Sequence, residues 1–192
     1  MRYWRTFLVV GLAAAVLDVG ATATVAAAQP VAASAAATPY CGFRWGSLLE
    51  QHTATAVAPL VNVRAGRHAC FDRLVVDVSG KADGYRVEYV TQVYRGGSGR
   101  PVPLRGGARL SIIAFAPAHD DDYRPTYRPA KPTELVNVSG WRTFRQVSWG
   151  GTFEGESTIG LGVRARLPFR AFTLDGPGAG SRIVIDVAHR WS

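Results

Sequence analysis

Asp72-Arg73-Leu74-Val75-Val76-Asp77-Val78-Ser79-Gly80 is echoed near the C-terminus by Ser181-Arg182-Ile183-Val184-Ile185-Asp186-Val187-Ala188. In each copy an Arg opens a run of Val, Ile and Leu, an Asp follows four residues later, and a Val comes next. Short runs this rich in β-branched residues read as buried strands. The two-residue period puts Leu74, Val76 and Val78 on one face and Arg73, Val75 and Asp77 on the other. Arg182, Val184 and Asp186 share a face by the same count. An Asp within a buried strand needs a partner, because an unpaired carboxylate away from water is costly. Arg73, Asp77, Arg182 and Asp186 are therefore expected to form structural ion pairs, within a strand or across to a neighbour. The repetition predicts two equivalent strands of one domain.

Outward from this pair, glycine and proline punctuate a series of further strands. Leu60 to Arg64 reads as a first strand, and a possible helical turn lies around Ser47 to His52. Tyr85, Val87, Tyr89 and Val93 alternate with Arg86, Glu88 and Gln92, the signature of a strand with one solvated face. Gly96-Gly97-Ser98-Gly99 is a hairpin loop. Val102 to Leu104 is a short edge strand blunted by Pro101 and Pro103. Leu110 to Ala116 is apolar throughout and reads as central. Thr143 to Trp149, Ser157 to Arg164 and Phe169 to Leu174 complete the set, with Gly150-Gly151 and Asp175-Gly176-Pro177-Gly178 as connections. Eight or nine short strands predict an all-β fold, an antiparallel β-sandwich. His119 to Pro132, with Asp120, Asp121 and Asp122, reads as a solvated excursion, since it lacks the spaced oxygens and tight glycine turn of a calcium loop.

The N-terminus has a different character. Arg2 and Arg5 precede a mostly apolar stretch from Phe7 to Val16, and Ala26-Ala27-Ala28 fits a small-residue cleavage site, so residues 1–28 read as a signal peptide. Residues 29–40, rich in Ala, Thr and Pro, read as a flexible leader. Contact with the membrane is expected only in passing, through the signal peptide. The two cysteines, Cys41 and Cys70, are expected to be joined outside the cytosol. Closing a loop of about 29 residues stabilises a fold by roughly 3.5 kcal/mol in the chain-entropy model.

The 192-residue chain carries a formal net charge of +8. Loss of Arg2, Arg5 and Asp18 with residues 1–28 leaves +7, which favours anionic partners. The Arg residues are scattered singly and the chain is read as exported, which argues against nucleic acid. Sugar rings stack on aromatic faces while Arg holds carboxylates and phosphates in a fork, so Trp141, Trp149, Arg142 and Arg145 are the candidate binding residues. Pieces of a hydrolytic site exist in His68, Asp72, Glu154, Glu156 and Ser157. They fall in no nucleophile elbow, paired-His metal motif or phosphate-binding glycine loop. No catalytic residue, metal or cofactor is expected.

Val63 through Asp77, Gly84 through Val90, Phe153-Glu154-Gly155, Gly160 through Val163, Pro168-Phe169-Arg170 and Asp186-Val187-Ala188-His189 together resemble the actinobacterial AMIN-like domain. The likeness covers residues 41–191. It implies a β-sandwich module related to the AMIN domains that stand beside amidase and secretin domains in bacterial envelopes. The function it implies is non-catalytic: a secreted or envelope-bound module without an attached catalytic domain that binds or organises peptidoglycan. The expected partner is cell-wall glycan or another envelope protein. The alternatives are a small envelope hydrolase and a purely protein-interaction module.

The mature protein is expected to begin near Gln29 and to carry no free thiol. N-terminal sequencing and thiol labelling of secreted protein check this, and a retained leader or a labelled Cys41 or Cys70 contradicts it.

Overall fold

The computed structural model describes residues 39–191. The expected signal peptide and leader lie outside the described residues, apart from Pro39 and Tyr40. The described chain forms β1 (Glu50–His52), β2 (Leu60–Arg67), β3 (Phe71–Val78), β4 (Tyr85–Val90), β5 (Val93–Tyr94) and β6 (Pro101–Val102). It continues with β7 (Ala108–Ala114), β8 (Phe144–Phe153), β9 (Glu156–Val163), β10 (Phe169–Asp175) and β11 (Ser181–Ala188). A five-stranded sheet in the order β1-β4-β7-β9-β8 and a four-stranded sheet in the order β10-β11-β3-β2 make an antiparallel sandwich, with β5-β6 as a small separate hairpin.

The alternation of the two repeated strands decides how the layers meet. Leu74, Val76 and Val78 of β3 and Ile183, Ile185 and Val187 of β11 face inward, against Val87, Leu110, Ile112, Ile159 and Leu161 of the other sheet. Each such buried side chain contributes about 1.5–3 kcal/mol through burial. The β3 and β11 copies are direct neighbours, antiparallel, with Arg73 opposite Asp186 and Arg182 opposite Asp77. Inversion of one copy against the other thus sets the Arg of each beside the Asp of its twin.

Only one of these two meetings becomes an ion pair. Arg73 donates Nε and one Nη to the two oxygens of Asp186 at 2.6 and 2.8 Å. Arg170, on β10, donates to the second oxygen at 2.7 and 2.9 Å. Asp186 is 0% exposed, whereas Arg73 and Arg170 keep 24% and 22% of their side chains in water. Hydrogen bonding to Asp186, above all, raises the Arg73 pKa. At the other crossing, Asp77 takes Arg64 as a bidentate partner at 2.8 and 3.0 Å, with Asn62 adding a third bond. Arg182, expected as an ion-pairing residue, donates instead to the Asp175 carbonyl at 2.8 Å. Arg64 sits one strand away on the exposed edge of the sheet, and its flexible fork reaches Asp77 first.

A short N-terminal strap covers part of this outer face. Cys41 and Cys70 form a disulfide. Gly46 pairs with Phe169 through two backbone hydrogen bonds at the edge of β10. Between those fixed points Phe43 lies 3.8 Å from the Arg170 guanidinium and edge-on to Phe71. Trp45 also packs on Phe71 and donates its indole N–H to the Tyr40 carbonyl. The pair of charges around Asp186 is thereby roofed by aromatic faces, which attract guanidinium cations.

Three segments depart from the sequence expectations. The possible helical turn around Ser47 to His52 contains β1, because Glu50–His52 finds unpaired backbone on β4. Gly150-Gly151, expected as a connection, lies within β8 as a bulge between Trp149 and Gly151. Gly151 has a φ of +101°, and a Cβ on Gly150 would lie 2.7 Å from Thr158, so glycine lets the strand continue where larger residues would end it. The expected edge strand at Val102 to Leu104 shortens to β6, and Leu104 folds down onto β9, where a Cβ on Gly160 would collide with its side chain at 2.9 Å.

Asp186→Asn is expected to lower stability by about 3 kcal/mol, because Arg73 and Arg170 lose their shared counter-charge. Asp77→Asn, at a half-exposed pair, is expected to cost under about 1 kcal/mol. Chemical denaturation measures both, and equal effects would contradict the assignment.

Candidate functional site

Asp72 faces the sandwich interior, on the same side of β3 as Leu74, and it is 1% exposed. One carboxylate oxygen accepts the backbone N–H groups of Thr143 and Phe144 at 2.8 and 3.0 Å. The other contacts Nε2 of His189 at 3.2 Å. Asp72 therefore ties the four-stranded sheet to the first residues of β8 and to the residue after β11. It also fixes the loop that precedes β8, which carries Trp141 and Arg142.

That loop is shaped by short-range chemistry. The Asn137 side chain accepts the Ser139 N–H at 3.1 Å, and the Trp141 N–H returns to the Val138 carbonyl at 3.2 Å. Gly140, third in this four-residue turn, has a φ of +73°, the position that a type II turn reserves for glycine. Trp141 emerges half-buried, its ring parallel to Phe144 at 5.9 Å and the Arg67 guanidinium 6.0 Å from its centroid.

Two surface recesses flank the turn. The first, about 390 Å³, is lined by Trp141, Arg145, Arg105, Glu134, Asn137 and Ser139, among others. Its walls are cross-braced. Arg105 pairs with Glu134, which raises the guanidinium pKa, and donates to the Arg145 carbonyl at 3.1 Å. Arg145 donates to the carbonyls of Trp141 and Phe144 at 2.8 and 2.9 Å. The recess presents an aromatic wall beside guanidinium, carboxylate, amide and hydroxyl groups, a set suited to a sugar ring and its hydroxyls. The second recess, on the other side of Gly140, is lined by Arg67, Arg142, Asp72 and His189.

A family model described as the AMIN-like domain matches residues 58–189. The chain belongs to the AMIN-like family. No curated protein and no solved structure matches it. The matched segment begins just before β2 and ends on His189, so both copies of the repeated strand, the Asp72 contacts and both recesses lie within the AMIN-like domain. The family is one of envelope-associated modules, and the Cys41–Cys70 disulfide accords with a place outside the cytosol.

Of the four candidate binding residues, Trp141 and Arg145 meet in the first recess, and Arg142 turns to the second. Trp149 lies elsewhere in the AMIN-like domain, half-buried and edge-on to Tyr127 at 5.3 Å, and its backbone N–H donates to the Pro132 carbonyl. Of the hydrolytic pieces, His68 and Asp72 line the second recess together, but the others lie far from them. Ser157 and Glu154 lie at the β8–β9 turn, where Phe153 faces Glu156, whereas Asp72 binds the opposite end of that hairpin, where Phe144 faces Val163. The strand between is roughly 20 Å long. The Ser157 hydroxyl is buried and donates to the Ala116 carbonyl at 2.6 Å, and His68 stacks on Phe71. Among the described residues no group of three His, Cys, Asp or Glu is placed to hold a metal ion. Sequence reading passed over Arg67, Arg105, Arg164 and Arg190 as site residues, because they come from separate stretches of chain and share no motif. His189 was visible in the terminal Asp-Val-Ala-His motif, but nothing in the sequence joins it to Asp72.

Asp72→Ala is expected to cost about 3 kcal/mol, since two buried N–H groups and His189 lose their acceptor. Asp72→Asn, which keeps one acceptor oxygen, is expected to retain part of that. Denaturation followed by tryptophan fluorescence reports both stability and any displacement of Trp141; an unchanged midpoint for Asp72→Ala contradicts the anchoring role.

Proposed function

We propose that the protein is exported by its N-terminal leader and serves the cell envelope as a non-catalytic module that holds peptidoglycan glycan in the Trp141 recess. The observation that carries this reading is the half-buried Trp141 ring set beside Arg145, Asn137, Ser139 and the Arg105–Glu134 pair in one open recess. A sugar ring covers the aromatic face while its hydroxyls and acidic substituents meet the polar wall. The bracing of that wall keeps the recess formed without ligand, which lowers the ordering cost of binding. The net charge adds attraction to an anionic polymer over distance.

A hydrolase reading has one contact in its favour, His189 against Asp72. Among the described residues no serine or cysteine side chain hydrogen-bonds to His189, so the pair activates no side-chain nucleophile. Asp72 is read instead as a structural anchor.

Purified protein is expected to sediment with isolated peptidoglycan, with a salt-sensitive and a salt-resistant part. Ionic contacts are screened over about 8 Å at physiological ionic strength, whereas stacking persists. Trp141→Ala is expected to remove most of the salt-resistant part and Trp149→Ala to leave it. Release of soluble fragments that depends on His189 would favour the hydrolase. Absence of sedimentation at low salt would favour a protein partner.

A further inference from the structure

The end of the sandwich beyond Gly140 gathers arginine charge that no salt bridge among the described residues takes up. Two adjoining clefts of about 460 Å³ each share Arg142 and His189; Arg67 lines one of them, and Arg164 and Arg190 line the other. These four arginines come from the end of β2, the turn before β8, the residue after β9 and the residue after His189. None of the four forms a salt bridge among the described residues. Arg164 is aimed by two carbonyls, those of Arg142 at 3.2 Å and His189 at 2.7 Å. Arg190 lies over the Tyr40 ring at 4.8 Å, and Arg67 over Trp141.

The one carboxylate side chain that lines the clefts among the described residues does not neutralise them. Asp72 is buried and committed to Thr143, Phe144 and His189. His189, in turn, is 9% exposed, and its second ring nitrogen, Nδ1, is buried with no hydrogen-bond partner. A buried ring nitrogen left unpaired is unusual, because such atoms normally find a partner, and this one belongs to a residue that lines both clefts.

We propose that this paired cleft is a binding site for two neighbouring phosphoryl groups, a diphosphate or two successive phosphodiesters of a chain. A phosphoryl group offers several acceptor oxygens to planar guanidinium forks, which bind it bidentately. One carboxylate would offset a single charge of the four. Two phosphoryl groups match both the charge and the division of the site into two clefts joined at Arg142 and His189. The Asp72 contact holds the His189 ring at the junction. This site is separate from the Trp141 recess, and its occupant is recognised by phosphate chemistry and not by sugar stacking.

Titration of the purified protein with pyrophosphate, in metal-free buffer at low salt, tests the assignment by calorimetry. Binding is expected to be tighter than for orthophosphate. Arg142→Gln and Arg190→Gln are each expected to weaken it by about tenfold. Arg64→Gln, on the same strand as Arg67 but paired with Asp77 and outside both clefts, is expected to change it less than twofold. Thermal unfolding of each variant accompanies the titration. In the unmutated protein the His189 imidazole signals are expected to shift in NMR spectra as pyrophosphate is added, a readout that needs no variant. Vesicles of phosphatidylglycerol form a separate arm. Pyrophosphate binding without vesicle binding assigns a soluble or polymeric phosphate, and vesicle binding that pyrophosphate displaces assigns a lipid headgroup; either supports the site. Pyrophosphate binding that is equally weak for Arg142→Gln, Arg64→Gln and the unmutated protein, or static His189 signals, overturns it. The probe is pyrophosphate and not wall polymer, so failure here leaves the sedimentation result with peptidoglycan standing, and the converse holds.

Discussion

A carboxylate sealed away from water has to be given donors, and this requirement organises both faces of the four-stranded sheet. On the outer face Asp186 has no exposed surface and takes four hydrogen bonds from Arg73 and Arg170. The three strands β3, β11 and β10 are thereby joined by side chains as well as by backbone. On the inner face Asp72 takes two backbone N–H groups and a histidine. Its partners belong to the other sheet and to the chain after β11, so it works across the sandwich. Removing either carboxylate would leave buried donors or paired cations without a counterpart, the situation in which a polar core becomes costly.

The two carboxylates also set the position of the surface chemistry. Arg170, held by Asp186, provides the cationic floor on which Phe43 and Trp45 rest, Arg73 beside it lies over Phe71 and Phe172, and the disulfide keeps the strap in place. Asp72 fixes the start of β8, and the Gly140 turn just before it separates two kinds of surface. On one side Trp141 stands among mixed polar groups. On the other, Arg142 and His189 join two strongly basic clefts. A single turn thus divides an aromatic recess from an anion-attracting one. A displacement of that turn would disturb both.

Much of this was legible in the chain itself. The alternation of Leu74, Val76 and Val78 against Arg73, Val75 and Asp77 determined the strand and its two faces, because the period of a strand is a local property. Antiparallel sandwich architecture followed from the number of such runs and the glycines between them. The two lone cysteines had only one another as partners. The resemblance carried by the repeated strand and the terminal Asp-Val-Ala-His motif agrees with the family found.

Which charges meet was decided by the tertiary structure alone. Arg73 and Asp186 lie far apart in the chain and become neighbours only because β3 and β11 pair antiparallel in one particular register. That same register sets Arg182 beside Asp77, yet Arg64 from the sheet edge takes the carboxylate, a competition between side-chain reaches that no spacing rule records. The basic clefts were hidden for the same reason: Arg67, Arg142, Arg164 and Arg190 come from four separate stretches of chain that only the fold brings together, and charge in a turn or at a strand end carries no periodic signal. Sequence determined the faces of the strands, since those depend on neighbours along the chain; the fold decided the partners, since those depend on neighbours across it.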